Sequence, residues 1–245
     1  ATRHHVRPVQ QRASRVRTSS IVTTGPATRR VSNETLPVGA RPRYAEATVV
    51  ERVAVAPDRI VLTEPQVTQL NAAFTDSGLV CSAGTRLIIH ESIAERFVDD
   101  LVARAEGIVM GGPFDEKAET GPLISKEHRD KVTDYVERGI KAGARLRCGH
   151  DWGGEEHKDG FFYAPTVLDR CDRDNPAVIE EGFGPVITVE TFSTEAEAIE
   201  IANHTEYGLA GAVWSSDAGT CHRVSRALRH GTVWINDYHP YLPQA

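Results

Sequence analysis

What most constrains this chain is an alternation of two periods. From residue 84 onward, short apolar runs are followed by longer stretches whose apolar residues recur every three or four positions. Thr85 to His90 reads as a strand. Ser92 opens a helix with Ile93, Phe97, Leu101 and Ala94, Val98, Ala105 on one face. After a loop with Gly111, Gly112 and Pro113, Ser125 caps a second helix running to about Ala142. Val132, Val136 and Ile140 face inward, and Gly143 is placed to stop it. Val186 to Val189 is a buried-type strand, and Ser193 or Thr194 caps a third helix bearing Ala198, Ile201 and Ala202. Leu209 to Trp214 is the next strand, a helix follows from about Asp217 to Arg229 and ends at Gly231, and Thr232 to Ile235 is the last strand. Strands joined through helices of roughly ten to eighteen residues require crossover connections. The expected fold is therefore α/β, a mainly parallel sheet with helices on both faces.

Residues 1 to 60 behave differently. They keep neither period, are broken by Pro8, Gly25, Pro26, Pro37, Gly39 and Pro42, and are expected to be irregular. They hold 11 Arg, no Lys and the four acids Glu34, Glu46, Glu51 and Asp58, so they carry +7 within a net charge of -6. A basic arm suits nucleic acid when cationic and aromatic side chains share a face. Here the arginines alternate with Thr, Val and Pro, and Tyr44 is the arm's one aromatic, so no nucleic-acid partner is expected. No apolar run approaches the roughly eighteen residues of a membrane span, and no signal-peptide pattern opens the chain; a cytoplasmic protein without a membrane partner is expected. Cys81, Cys148, Cys171 and Cys221 are far apart and form no CxxC pair, so reduced thiols are expected.

The stretch "GLVCSAGTR" places Cys81 between Gly78 and Gly84, beside the small Ser82 and Ala83 and directly before a strand. Two readings stand at this point: a small hydrophobe entering the core, or a nucleophile whose thiolate the turn stabilises. A Cys-His hydrolase would need a base, and His90, His204, His222, His230 and His239 show no spacing that selects one. Cys148-Gly149-His150 offers two zinc ligands without a second pair, and His90-Glu91 lacks a later histidine. No metal site is expected, and Cys148 is expected on a solvated turn.

Taken with four later motifs, "GLVCSAGTRLII" resembles the catalytic-cysteine segment of the NAD(P)-dependent aldehyde dehydrogenase superfamily. Those motifs are "TGPLIS" (120 to 125), "EEGFGPV" (180 to 186), "YGLAGAVWS" (207 to 215) and "GTVWINDYHPYLPQA" (231 to 245), in the family's order. The last, with "AGTR", is most similar to the glycine betaine aldehyde dehydrogenase branch. The resemblance implies that Cys81 attacks an aldehyde, betaine aldehyde or similar, to give a thiohemiacetal whose oxyanion the Cys81 backbone N–H helps to hold. Hydride passes to NAD or NADP, and water hydrolyses the thioester.

By the same resemblance Glu181 binds the nicotinamide ribose and Phe183 packs near that ring; the alternative makes Glu180 and Glu181 a solvated turn. Gly182 stands where the family has a branched residue, and is expected to loosen the turn. Asn236, Asp237, Tyr238, His239 and Tyr241 fall in the substrate loop, where tyrosine faces would hold a trimethylammonium group. The alternative is that they only anchor a surface loop. The family's base glutamate has a Glu-Leu-Gly-Gly context that does not occur here, and Glu46 is proposed for that role from its position before Cys81 alone. Leu79 replaces a glutamine frequent two residues before the cysteine. "TTGPATRR" (23 to 30) only faintly resembles the cofactor-domain turn.

The expected organisation is thus residues 1–70 as an irregular, Arg-rich remnant of or replacement for the cofactor-binding part, and 71–245 as the catalytic domain, truncated at its C-terminus. The resemblance implies homo-oligomers formed through a final strand, which is expected to be missing from this chain. Related enzymes also use potassium. A fragment with impaired activity is expected. The rival functions are a catalytically inactive interaction or structural module, and a dehydrogenase that passes the acyl group to coenzyme A.

Overall fold

The structure is a computed structural model that describes residues 21–22, 29–30, 47–50 and 73–238. The chain divides into two compact units, residues 1–34 and 35–245. In the first, β1 (Ile21–Val22) pairs antiparallel with β2 (Arg29–Arg30).

The second unit contains β3 (Ala47–Val50), β4 (Arg86–His90), α1 (Glu91–Glu106), α2 (Lys126–Lys141), β5 (Arg145–Cys148), β6 (Thr166–Asp169) and α3 (Pro176–Ile179). It continues with β7 (Val186–Phe192), α4 (Glu195–Asn203), β8 (Ala210–Trp214), α5 (Ala218–Ala227) and β9 (Thr232–Ile235). Its strands form a seven-stranded sheet in the order β5-β6-β7-β4-β3-β8-β9. Every pairing is parallel except β5 with β6 at one edge. The α/β architecture expected from the alternating periods is the one found.

The helix ends follow local hydrogen-bond chemistry. His90, not Ser92, opens α1: its Nδ1 accepts the Ser92 N–H at 3.2 Å, so the helix starts at Glu91. Ser125 caps α2 as expected, its Oγ accepting the His128 N–H at 3.1 Å, and Gly143 leaves the helix at φ +108°. Thr194 caps α4, and Asp217 caps α5, which stops at Ala227, short of the expected Arg229. β7 runs on to Phe192. Of the stretch expected to be irregular, Ala-Thr-Val-Val forms β3 between β4 and β8, a β-branched run too short to display a period.

Side chains alternate across the sheet. Leu87, Ile89, Val167, Ile187 and Val189 meet α1 through Phe97, Val98, Leu101 and Ala105. Burial of a leucine such as Leu87 or Leu101, both 0% exposed, is worth about 1.5–3 kcal/mol. On the other face Ile88 and Val213 pack with α4 and α5, while Leu168 and Val186 pack with α2 and α3. Arg86 lies buried on this second face, donating from Nε to Glu190 Oε2 at 3.0 Å and from Nη2 to the Ile201 carbonyl at 3.3 Å. Among the described residues, no helix is long and apolar enough to cross a membrane.

Candidate active site

Cys81 sits on the tight turn between Val80 and Ala83, closed by the Ala83 N–H donating to the Val80 carbonyl at 3.0 Å. The chain reaches it through three left-handed residues, Asp76 (φ +50°), Ser77 (φ +58°) and Gly78 (φ +69°). Non-glycine residues adopt this conformation at a cost, so neighbours must hold it. Ser77 Oγ donates to the Gly121 carbonyl at 2.6 Å and lies 3.1 Å from Thr120 Oγ1. On the far side of the turn, the buried Tyr238 hydroxyl donates to the Ser82 carbonyl at 2.8 Å, with its ring against Trp234.

The outcome is an exposed thiol at Cys81, while Cys148, Cys171 and Cys221 are buried. The expectation of a solvated turn for Cys148 is corrected: it ends β5, 7% exposed, with Sγ 3.7 Å from the Pro165 carbonyl. Burial pushes its thiol up to about 11 and that of Cys171 up to about 12, the reverse of what a nucleophile needs.

Facing Cys81 is the loop 180–184, and α2 meets it residue by residue. Arg138 grips Glu180 through two hydrogen bonds of 2.7 and 2.8 Å. The ring of Tyr135 occupies the space that a side chain at 182 would take, since a Cβ on Gly182 would lie 2.7 Å from it. Gly182 therefore does not loosen this turn; its missing side chain admits the tyrosine, whose hydroxyl donates to the Ala177 carbonyl. Phe183 is left-handed (φ +54°), and its carbonyl lies 2.7 Å from His128 Nε2. Val132 packs on Gly184.

The two walls touch. A Cβ at Gly78 would lie 2.3 Å from the Gly184 carbonyl oxygen, so only a glycine allows the nucleophile segment to cross the loop this closely. Between them opens a cleft of about 390 Å³, including space open to solvent. Cys81, Glu181, Phe183, Tyr135 and Arg86 are among the residues that line it, and no histidine is. Both walls lead into the N-terminal ends of neighbouring parallel strands, β4 and β7, rather than the carboxyl ends where open α/β sheets most often bind ligands.

Glu180 and Glu181 are not equivalent. Hydrogen bonds from Arg138 hold the Glu180 carboxyl below its usual range. Glu181 is half-buried, and among the described residues no donor reaches its carboxylate; burial pushes it up, and the charge of Lys131 opposes the shift.

The expected site residues fare unevenly. Cys81, Glu181 and Phe183 share the cleft. Asn236 is engaged by the backbone of Ser215, accepting its N–H at 2.9 Å and donating to its carbonyl at 3.0 Å. Tyr238 is 6% exposed, so little of its ring is offered to a ligand. Glu46, His239 and Tyr241 lie outside the described residues. Of the histidines weighed as bases, His90 is a helix cap, His204 pairs with Asp174 at 3.2 Å, His222 lies by Arg226, and His230 is buried. Among the described residues, no group of three or more His, Cys, Asp or Glu could hold a metal ion. Sequence reasoning missed His128, Lys131, Tyr135 and Arg138. Their signal was a second stripe on α2 at spacings of three and four, beside the apolar one.

Residues 64–245 match the model of the aldehyde dehydrogenase family, and the chain belongs to that family. It is 55% identical over 177 residues to a betaine aldehyde dehydrogenase of Bacillus subtilis, covering 72% of this chain and 36% of that protein. It is 44% identical over 176 residues to the chloroplastic betaine aldehyde dehydrogenase of Atriplex hortensis, covering 72% of this chain and 35% of that one. A crystal structure of betaine aldehyde dehydrogenase from Staphylococcus aureus in complex with NAD+ superposes with a TM-score of 0.74 at 42% identity, covering 82% of this chain and 38% of that one. The chain thus spans about a third of the length of the curated relatives it matches.

Proposed function

We propose that residues 71–245 are the nucleophile-bearing domain of an NAD(P)-dependent aldehyde dehydrogenase that oxidises betaine aldehyde or a similar small aldehyde to the acid, in the cytoplasm. The observation that carries this reading is the meeting of the exposed Cys81 thiol with Glu181 and Phe183 in one cleft. The residues fit the nicotinamide end of a dinucleotide. Glu181 keeps a carboxylate without a donor among the described residues, suited to accept from two vicinal hydroxyls, and Phe183 offers a half-buried ring beside it.

Cys81 Sγ, its proton given up to the solvent that reaches it, attacks the carbonyl carbon, and the displaced π pair moves to the oxygen, which the Cys81 backbone N–H receives. A bound nicotinamide dinucleotide supplies the hydride acceptor that leaves a thioester on Cys81. Water then cleaves the C–S bond, releasing the acid and restoring the thiol; Glu46 is the residue we assign to activating that water. Asn236 and Tyr238 shape the substrate end by fixing the chain about Ser215 and Ser82, and His239 and Tyr241 supply its side chains.

A folded module without turnover is the second reading, favoured by the lack of a Glu-Leu-Gly-Gly string in the 80 residues of this sequence ahead of Cys81. Titration calorimetry with NAD+ on the 245-residue chain and on Glu181→Gln separates them. The dehydrogenase reading expects saturable binding that weakens roughly 10- to 100-fold in the variant, the effect of losing a hydrogen bond to a charged group. No binding by the wild-type chain would favour the module.

A further inference from the structure

α2 does more than cover the sheet. Its residues 128, 132, 135 and 138 recur at spacings of three and four, and each meets a different residue of the loop that carries Glu181 and Phe183. Three of these contacts, Val132 on Gly184, Tyr135 on Gly182 and Arg138 on Glu180, are packing or surface pairing. The fourth acts on the backbone of a cleft residue itself. Phe183 is the loop's one left-handed non-glycine residue, and its carbonyl accepts from His128 Nε2 at 2.7 Å, with the two rings edge to face at a 6.4 Å centroid separation. The His128 backbone is in turn fixed by Ser125 Oγ at the helix cap.

We infer that His128 is a positioning residue: its Nε2–H holds the Phe183 carbonyl, and through it the left-handed backbone that turns the Phe183 ring into the cleft. The donor must carry its proton on Nε2, which leaves Nδ1 as the acceptor nitrogen of the neutral ring. The inference rests on the dehydrogenase reading only for what the ring meets; the positioning itself is a property of the chain without cofactor.

Two variants separate donor from bulk. His128→Phe keeps a ring against Phe183 and removes the donor, while His128→Gln restores an N–H at similar reach. Amide and side-chain NMR of the 245-residue chain without cofactor is the first readout, with ¹⁵N correlation of the His128 ring to read its tautomer. The expected result is an Nε2-protonated ring, shifts and broadening confined to residues 181–184 in His128→Phe, and their return toward wild type in His128→Gln, at equal melting temperatures. NAD+ affinity is the second readout, expected to fall roughly three- to tenfold in His128→Phe and to recover in His128→Gln. A ring whose Nε2 carries no proton, unchanged signals at 181–184 in His128→Phe, or equal changes in both variants would overturn the inference. The expected NMR pattern without NAD+ binding by the wild-type chain would uphold the positioning and count against the dehydrogenase reading instead.

Discussion

The two walls of the cleft are held by opposite means. The nucleophile wall is backbone under strain: three left-handed residues, two of them not glycine, lead to Cys81, and polar contacts from distant segments hold Ser77 before it, at Gly121, and Ser82 after it, at Tyr238. The facing loop rests on a single helix, whose side chains take its residues one after another. A reactive thiol has to stand clear of its surroundings, so few groups can touch it and its backbone is fixed from behind. A carboxylate and a ring that receive a ligand need a set direction more than clearance, and a helix gives that direction cheaply.

The walls depend on each other where Gly78 crosses Gly184, and the largest effect is expected there. Gly78→Ala adds a methyl to backbone 2.3 Å away at a left-handed position, and should cost roughly 2–4 kcal/mol in urea unfolding. A cost under about half a kcal/mol would mean that the walls do not meet as described.

Next comes the helix-held wall. Gly182→Val drives a branched side chain into the Tyr135 ring and should cost about 1–3 kcal/mol, most of it recovered when Tyr135→Leu is added. A thermodynamic cycle without coupling would separate α2 from the loop. On the nucleophile wall, Tyr238→Phe removes the hydrogen bond to the Ser82 carbonyl and should cost about 1–2 kcal/mol while raising the alkylation rate of Cys81 as its turn loosens.

The smallest effect belongs to Arg138 and Glu180, an exposed pair worth about 0.2–1 kcal/mol. Its pH dependence has a definite sign. Hydrogen bonds from Arg138 depress the Glu180 carboxyl, so the stabilisation is present above the unfolded-state value of about 4.3 and is lost as pH falls through the lower folded value. Glu180→Gln should therefore flatten the acid limb of the stability curve below about pH 4 and leave the neutral-to-alkaline limb parallel to wild type.

How much was legible in the sequence follows the same division. α1 and α2 showed their apolar stripes, α2 also its stop at Gly143, and Thr232–Ile235 followed the break at Gly231, so these elements lie close to where the periods put them. β5, Arg-Leu-Arg-Cys, did not read as a strand because its arginines pair with Asp169 on β6, and β6 is four buried residues with no alternation to see. Cys148 was misplaced for that reason. In the site, Cys81 and the Glu-Glu-Gly-Phe-Gly string were visible through resemblance. The left-handed Asp76 and Ser77 were not, because no local sequence rule asks for that conformation there; long-range contacts impose it. The grip of α2 on the loop was hidden for the same reason, since its partners lie about fifty residues apart.

The central claim is that the thiol and the loop form one functional cleft, and iodoacetamide alkylation of the native chain, with and without NAD+ and read by peptide mass spectrometry, tests it most directly. Cys81 should label first and alone, ahead of the buried Cys148, Cys171 and Cys221, and its rate should change severalfold when NAD+ is added. Labelling of a buried cysteine as fast as Cys81, or a Cys81 rate indifferent to NAD+, would contradict the account.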